Sequence, residues 1–287
     1  MINKPIIKAS VWMLITLMAF SVLAVSVKES ATYLGTAEIL FFRSLIGLII
    51  ISIVIFFTGL KQIKTNNIKK HVLRNGTHFL GQYGWFYGIA YIPLAEVFAL
   101  EFTVPIWTAI AAAILLNETV TKTRFLSIIL GLIGVLVILR PSSNIIHHAA
   151  IVVLVGAIAY GLSHTLTRSI VKHDSPLSII FYMCLMQLPI GFLLSLNSWV
   201  SPTLTTFLWL LLVAITALIA HYALSKALTY ADATVVIPMD FLRLPVIMVV
   251  GLYFYQESFE WLLLLGGLIM LLGNYLNLRK EYKNSDT

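Results

Sequence analysis

The chain has 287 residues, 60% of them hydrophobic and 11% charged, with a net charge of +7 and a mean hydropathy of +0.95. A soluble domain is about half apolar and about a quarter charged, so this composition excludes an ordinary soluble enzyme or binding module and indicates a polytopic membrane protein. The single cysteine, Cys184, excludes a disulfide framework.

Apolar stretches fill the first half near 8–27, 37–58, 72–92, 95–116 and 124–140. Five more follow near 149–170, 178–196, 206–229, 234–255 and 259–278. Each approaches the roughly 20 residues that cross a hydrocarbon core of about 30 Å. The runs are continuously apolar instead of alternating, which predicts helices and not barrel strands. Lys4 and Lys8 before the first run resemble a signal peptide. That run is a full span with a counterpart in the second half, so it is expected to stay in the protein.

Several spans carry groups that hydrocarbon does not solvate. The second holds Arg43, and the third holds His78, Tyr83, Trp85 and Tyr87 around a Gly84-x-x-x-Gly88 close-packing motif with Gly81. Glu101, Pro105 and Trp107 lie in the fourth, Tyr160 and His164 in the sixth, and His221 and Tyr222 in the eighth. The ninth carries Asp240 and Arg243 between Pro238 and Pro245. His71, His147, His148 and His173 are placed in loops, and Glu118 and Glu257 in solvated turns.

With the N-terminus inside and ten crossings, fourteen Lys and Arg fall on inner segments and only Lys28 and Arg140 on outer ones. This positive-inside bias predicts both termini in the cytoplasm of a cell with an inner membrane. It accounts for the basic charge through topology and contact with the lipid bilayer, and leaves no case for a nucleic-acid partner.

The two sets of five come into register at a shift of 139 or 140 residues. Ala19-Phe20 meets Ala159-Tyr160, Lys28 meets Arg168, and Phe41-Phe42 meets Phe181-Tyr182. Tyr83 meets Tyr222, Glu101-Phe102 meets Asp240-Phe241, and Arg140 meets Arg279, while Pro105 and Pro245 miss by one. Because five is odd, similar halves must sit upside down relative to each other, a plan common among alternating-access carriers. The expected fold is an all-α polytopic membrane protein of ten transmembrane helices in two inverted five-helix repeats, 1–140 and 141–287.

The run Tyr83…Gly88-Ile89-Ala90-Tyr91-Ile92-Pro93-Leu94-Ala95…Pro105…Asn117-Glu118…Gly131-Leu132-Ile133-Gly134 resembles the EamA-type family of the drug/metabolite transporter superfamily. A second copy runs Ala227-Leu228-Thr229-Tyr230-Ala231-Asp232…Pro238…Gln256-Glu257…Gly266-Gly267…Gly273. The individual motifs are loose; their order and spacing, twice over, carry the resemblance across the chain. The resemblance implies a ten-helix secondary carrier whose relatives move amino acids, S-adenosylmethionine, sugars, nucleotide-sugars and other small metabolites.

Charged groups in hydrocarbon cost at least about 2.5 kcal/mol each and normally face the bundle interior. At about 1.5 Å per residue, Arg43 and Glu101 each lie roughly 9 Å below the outer face. Matching depth predicts that they pair, either as a structural bridge or along a pathway. Asp240 and Arg243, at i and i+3, share a helix face where the prolines loosen the helix. Pro105, Pro238 and Pro245 are the expected hinges. The candidate substrate-binding residues are Arg43, Glu101, Asp240 and Arg243, with Tyr83, Trp85, Trp107, Tyr160 and Tyr222 as aromatic walls that otherwise pack helices.

Asp240 and Glu101, with His78, His164 and His221, are the candidates for proton coupling, the alternative for each histidine being a helix–helix hydrogen bond. A cavity of both signs favours a small zwitterion, an amino acid first and S-adenosylmethionine or a nucleotide-like metabolite as the alternative. No Walker-type loop, catalytic cluster, metal-ligand set or cofactor motif is legible. A polytopic enzyme or a channel is the reading from another class; the first wants an interfacial catalytic cluster and the second a ring of like groups. Gly131, Gly134, Gly266, Gly267 and Gly273 are placed to pack a homodimer or the chain's own helices.

Overall fold

The computed structural model describes residues 4–118, 121–139, 147–256 and 261–284. Arg140, Glu257 and the junction near 140 lie outside these residues, as does the side chain of Pro238. The described chain is all helical, and six helical stretches are long and apolar enough to cross a membrane. They are Pro5–Ala31, Thr36–Thr58, Leu94–Leu116, His148–Ile170, Pro176–Ser198 and Leu204–Tyr230.

The first half holds α1 (Lys4–Ala31), α2 (Thr36–Thr58), α3 (Ile68–Tyr91), α4 (Leu94–Glu101), α5 (Val104–Leu116) and α6 (Lys122–Leu139). The second holds α7 (His148–Ile170), α8 (Pro176–Ser195), α9 (Leu204–Tyr230), the short α10 (Ala233–Val236), α11 (Arg243–Tyr255) and α12 (Trp261–Asn284). A 3-10 stretch, Ile237–Leu242, joins α10 to α11.

The expected fourth and ninth spans are each interrupted, and proline chemistry explains why. Pro105 sits in the first turn of α5, where its missing N–H removes no helical bond, but its ring bars a continuous helix from α4. Pro238 lies within the 3-10 stretch and Pro245 within the first turn of α11. α5 and α11 then mirror each other: both have 13 residues and end on left-handed residues, Asn117 at φ 54° and Gln256 at φ 51°.

Packing repeats the same pattern. α1 lies along α9 as α3 lies along α7, α2 packs on α8, and α6 on α12. Equivalent elements of the two halves thus exchange partners. The symmetry is incomplete: α4 and α5 lie closer along α7 than their counterparts α10 and α11 lie along α1, which α11 meets through Tyr255 Oη donating to Glu29 at 2.8 Å.

Close approach needs glycine at the α3–α7 crossing. A Cβ on Gly84 would stand 2.6 Å from the Val152 carbonyl oxygen and 3.1 Å from the Gly156 Cα. Gly267 and Gly273 pack against Leu244 and Leu130 within the chain. Large apolar side chains such as Phe56, Phe57, Ile114, Tyr253 and Phe254 are exposed on the outside of the bundle, the arrangement that lipid rewards.

Candidate functional site

The two helix breaks face each other. α4 ends on Glu101, Phe102 and Thr103 interrupt the helix, and α4 packs against α11, which begins at Arg243. Arg243 Nη2 donates to Glu101 Oε2 at 2.8 Å and to Asp240 Oδ2 at 2.6 Å. Trp85 Nε1 donates to the same Glu101 oxygen at 2.7 Å. Three rings surround the guanidinium, with centroids 4.6 Å away for Phe98, 5.0 Å for Phe20 and 5.9 Å for Trp85. Among the described residues, Asp240 Oδ1 and Arg243 Nε are buried without partners.

Arg43 does not pair with Glu101. Equal depth is not lateral proximity: α2 packs on α8, so the Arg43 guanidinium meets Gln187 Oε1 at 3.1 Å and the Met183 sulfur at 3.3 Å. Arg243 takes Glu101 instead.

The ion triad lines a cavity that opens to the outside of the bundle. Its walls come from α1 through Met13, Thr16 and Phe20, from α3 through Gln82 and Trp85, from α7 through Tyr160 and His164, and from α9 through His221 and Leu224. Most of these fall into equivalent pairs of the repeat: Phe20 with Tyr160, Gln82 with His221, Trp85 with Leu224, and Glu101 with Asp240. The cavity therefore sits where the two halves meet.

Of the residues expected at the site, Glu101, Asp240, Arg243, Trp85, Tyr160, His164, His221 and Pro105 reach this cavity. Tyr83 stacks on Tyr87 at 6.1 Å, and Tyr222 packs edge-on against Trp12. The Trp107 indole donates to Thr103 Oγ1 at 3.3 Å, and its backbone meets Gly161 at the α5–α7 crossing. Pro245 lines a separate apolar groove between α11 and α12. Phe20, Gln82 and Phe98 were not expected. Phe20 and Gln82 were within reach of the repeat register, as partners of Tyr160 and His221. Phe98 carries no signal beyond its position three residues before Glu101.

Behind the cavity, α3 presents a buried polar stripe of His71, Arg74, Asn75, His78 and Gln82. This stripe explains why α3, though 24 residues long, is less apolar than the six clear spans. Gln187 on α8 organises it. Its Oε1 accepts from Arg43, and its Nε2 donates to the Asn75 carbonyl at 3.2 Å and to His78 Nδ1 at 2.9 Å. Arginine only donates and a carbonyl only accepts, so the amide orientation is set at both ends. His78 Nδ1 is then an acceptor, which puts the ring proton on Nε2. That nitrogen is buried without a partner among the described residues, and the ring lies 4.6 Å from His221.

Arg43 and Arg74 are fully buried, and neither meets a carboxylate among the described residues. Arg74 uses Thr167 Oγ1 at 3.2 Å and Asn75 Oδ1 at 2.7 Å. At the end of the stripe His71 Nε2 meets Asp174 Oδ2 at 2.9 Å, and Thr65 and Asn67 also donate to that carboxylate. Burial pushes the Asp174 carboxyl up, but these hydrogen bonds outweigh it and hold the group below its ordinary value. His71 is therefore not a loop residue: α3 starts four residues earlier than expected and buries it. His148 likewise opens α7, with His147 as its N-cap accepting from the Ala149 N–H.

Residues 7–140 and 147–279 each match the model of the EamA-like transporter family. The chain is 27% identical over 248 residues to an S-adenosylmethionine uptake transporter of Rickettsia bellii (strain RML369-C), covering 86% of this chain and 85% of the relative. It is 28% identical over 252 residues to a riboflavin transporter of Vibrio cholerae, covering 85% and 84%. A pseudopaline exporter of Pseudomonas aeruginosa is 26% identical over 255 residues, covering 88% and 89%. One solved crystal structure superposes with a TM-score of 0.77 at 13% identity, over 97% of this chain and 99% of the other, which establishes a shared fold.

Proposed function

Because the chain belongs to the EamA-like transporter family, we propose that it is a secondary carrier for S-adenosylmethionine or a closely related zwitterion bearing a large aromatic group. It is a multi-pass membrane transporter of small metabolites and not an enzyme. The amino-acid substrate that the mixed charges first suggest gives way to the larger alternative, since relatives are named for S-adenosylmethionine, riboflavin and pseudopaline.

The observation that carries this reading is the Glu101–Arg243–Asp240 triad set in an aromatic-walled cavity. Two carboxylates against one guanidinium leave one negative charge, which a proton or a cationic substrate neutralises. Sulfonium and ammonium groups suit Glu101 and Asp240; a carboxylate suits Arg243, whose planar donors match it. The rings of Trp85, Phe102 and Tyr160 offer stacking surface for a base. A neutral flavin would leave the triad without a role, so riboflavin is disfavoured.

The reading includes ten spans in two inverted five-helix repeats, 1–140 and 141–287, in a bacterial-type inner membrane with both termini cytoplasmic. The fourteen-to-two placement of Lys and Arg supports this. So do the matched breaks and left-handed ends of α5 and α11. In this topology α5 runs toward the cytoplasm and α11 toward the outside. α5 packs closely along α7 on the inner side, while α11 lies less closely along α1 on the outer side, where Tyr255 Oη donates to Glu29 at 2.8 Å and Lys28 lies over the Tyr255 ring. Exchanging these two arrangements about Pro105, Pro238 and Pro245 gives alternating access. An ion or substrate gradient drives it, with Asp240 or Glu101 as the proton-coupling group.

Uptake of radiolabelled S-adenosylmethionine into proteoliposomes, competed by unlabelled amino acids, nucleosides and riboflavin, tests the proposal. Saturable uptake blocked by S-adenosyl compounds is expected. Uptake of riboflavin alone, or of simple amino acids with no effect of S-adenosyl compounds, would overturn it.

A further inference from the structure

We propose that Arg243 is a tethered occupant of a cation-binding cage, which a sulfonium or quaternary ammonium group enters by displacing it. This rests on the carrier reading for its biological sense, although the cage itself is defined by geometry alone. The guanidinium is held by two carboxylates and enclosed by Phe20, Trp85 and Phe98 at 4.6–5.9 Å. Rings around a diffuse positive charge are the arrangement that binds quaternary ammonium ligands.

Nothing about buried arginine in this protein requires such an enclosure. Arg43 and Arg74 are equally buried, yet they rest on amide, hydroxyl and thioether groups, and no aromatic ring is recorded over either among the described residues. The cage is also over-supplied with negative charge, and among the described residues Asp240 Oδ1 is buried without a donor. Arg243 Nε, buried and likewise unpartnered among them, adds nothing to the hold. The arrangement is therefore strong where a monovalent cation would sit and incomplete around the arginine that fills it.

The tether has a place to move. Arg243 is the first residue of α11, directly after the 3-10 stretch, and it lines the open-mouthed cavity into which its side chain can swing. Attachment to the chain gives the guanidinium a high effective concentration in the cage. A free cation must compete with it, and a ligand that also carries a carboxylate compensates by accepting the displaced guanidinium. This makes binding selective for zwitterions over simple cations, because only they satisfy the carboxylates and the arginine at once.

The test uses full-length purified protein in nanodiscs and two small probes, trimethylsulfonium and tetramethylammonium, titrated calorimetrically at constant ionic strength. Wild type is expected to bind them weakly. R243Q should bind about tenfold tighter or more, since removing the competitor raises the fraction of empty cage. R243K, which keeps a tethered cation, should stay weak. R243Q/D240N removes one charge of each sign and is the guard against loss of folding; it too should bind tighter than wild type. Adding F98A to either variant should return affinity toward the wild-type level. If folded R243Q and R243Q/D240N bind the probes no tighter than wild type, or bind them with no dependence on Phe98, the proposal is wrong. The probes lack both nucleoside and carboxylate, so failure of S-adenosylmethionine transport would leave this result standing, and the reverse also holds.

Discussion

Glu101 and Asp240, at equivalent positions of the two halves, converge on one nitrogen of Arg243 at 2.8 and 2.6 Å. A repeat that places a carboxylate at the same point in each half brings two like charges together where the halves meet. The arginine that reconciles them belongs to one half only, so the site is asymmetric even though its scaffold is nearly symmetric.

That asymmetry separates the two carboxylates experimentally. E101Q weakens an acid that holds both Arg243 and the Trp85 indole, whereas D240N removes an acid that, among the described residues, only Arg243 holds. Hydrogen bonds to charged groups contribute about 1.5–3 kcal/mol, so each variant should slow transport roughly 10- to 100-fold. E101Q should also perturb tryptophan emission. Initial uptake rates at matched protein levels and emission spectra check both points.

Gln187 satisfies three groups at once, and its loss should be felt throughout the stripe. Q187L leaves Arg43 Nη1 and His78 Nδ1 without their partner, while the Asn75 carbonyl, inside α3, keeps its helical hydrogen bond. Each unsatisfied buried group costs about 1–3 kcal/mol, so a clear fall in unfolding temperature is expected in detergent. Q187E should be milder, because it offers Arg43 a carboxylate and His78 can respond by moving its proton to Nδ1. Equal destabilisation by both would contradict this arrangement.

Asp174 predicts a pH dependence with a definite sign. Its folded value lies below the ordinary value near 3.9, so its stabilisation is present above that ordinary value and fades as pH falls through the folded one. The stability gap between wild type and D174N should be constant above about pH 5 and shrink below about pH 4. Thermal unfolding across this range measures it. A gap that grew on acidification would reverse the assignment.

Gly84 and Gly76 lie on the same helix and should respond oppositely to alanine. A Cβ at Gly84 meets the Val152 carbonyl at 2.6 Å, while one at Gly76 has nothing within 4 Å. G84A should cost about 1–3 kcal/mol through separation of α3 from α7. G76A should be neutral, or stabilising by up to about 1 kcal/mol, because alanine favours helix. Parallel melting curves decide the matter.

Much of the site was legible because charge is scarce in an apolar chain. Glu101, Asp240 and Arg243 stood out on that ground, His221 as a histidine within an apolar span, and Tyr160 as an aromatic at membrane depth. Arg43 was legible as a buried charge but not as a partner of Gln187, since the match to Glu101 rested on depth alone. Phe98 was invisible, because one phenylalanine among sixteen carries no positional signal. His71 was misplaced for a related reason: an imidazole beside an apolar run looks like loop until a carboxylate from a distant segment, Asp174, is seen to cover it.

What composition and spacing determined on their own was the solvent this protein lives in, the helical character of its spans, the duplicated pattern and the positions where charge enters the lipid. Those follow from local rules, since transfer energies and helix geometry act residue by residue along the chain. Which charge meets which, which rings close around Arg243, and how Gln187 orients His78 were decided only in three dimensions. Each depends on the lateral packing of helices far apart in sequence, such as α2 on α8 and α4 on α11, and a one-dimensional pattern carries depth but no azimuth.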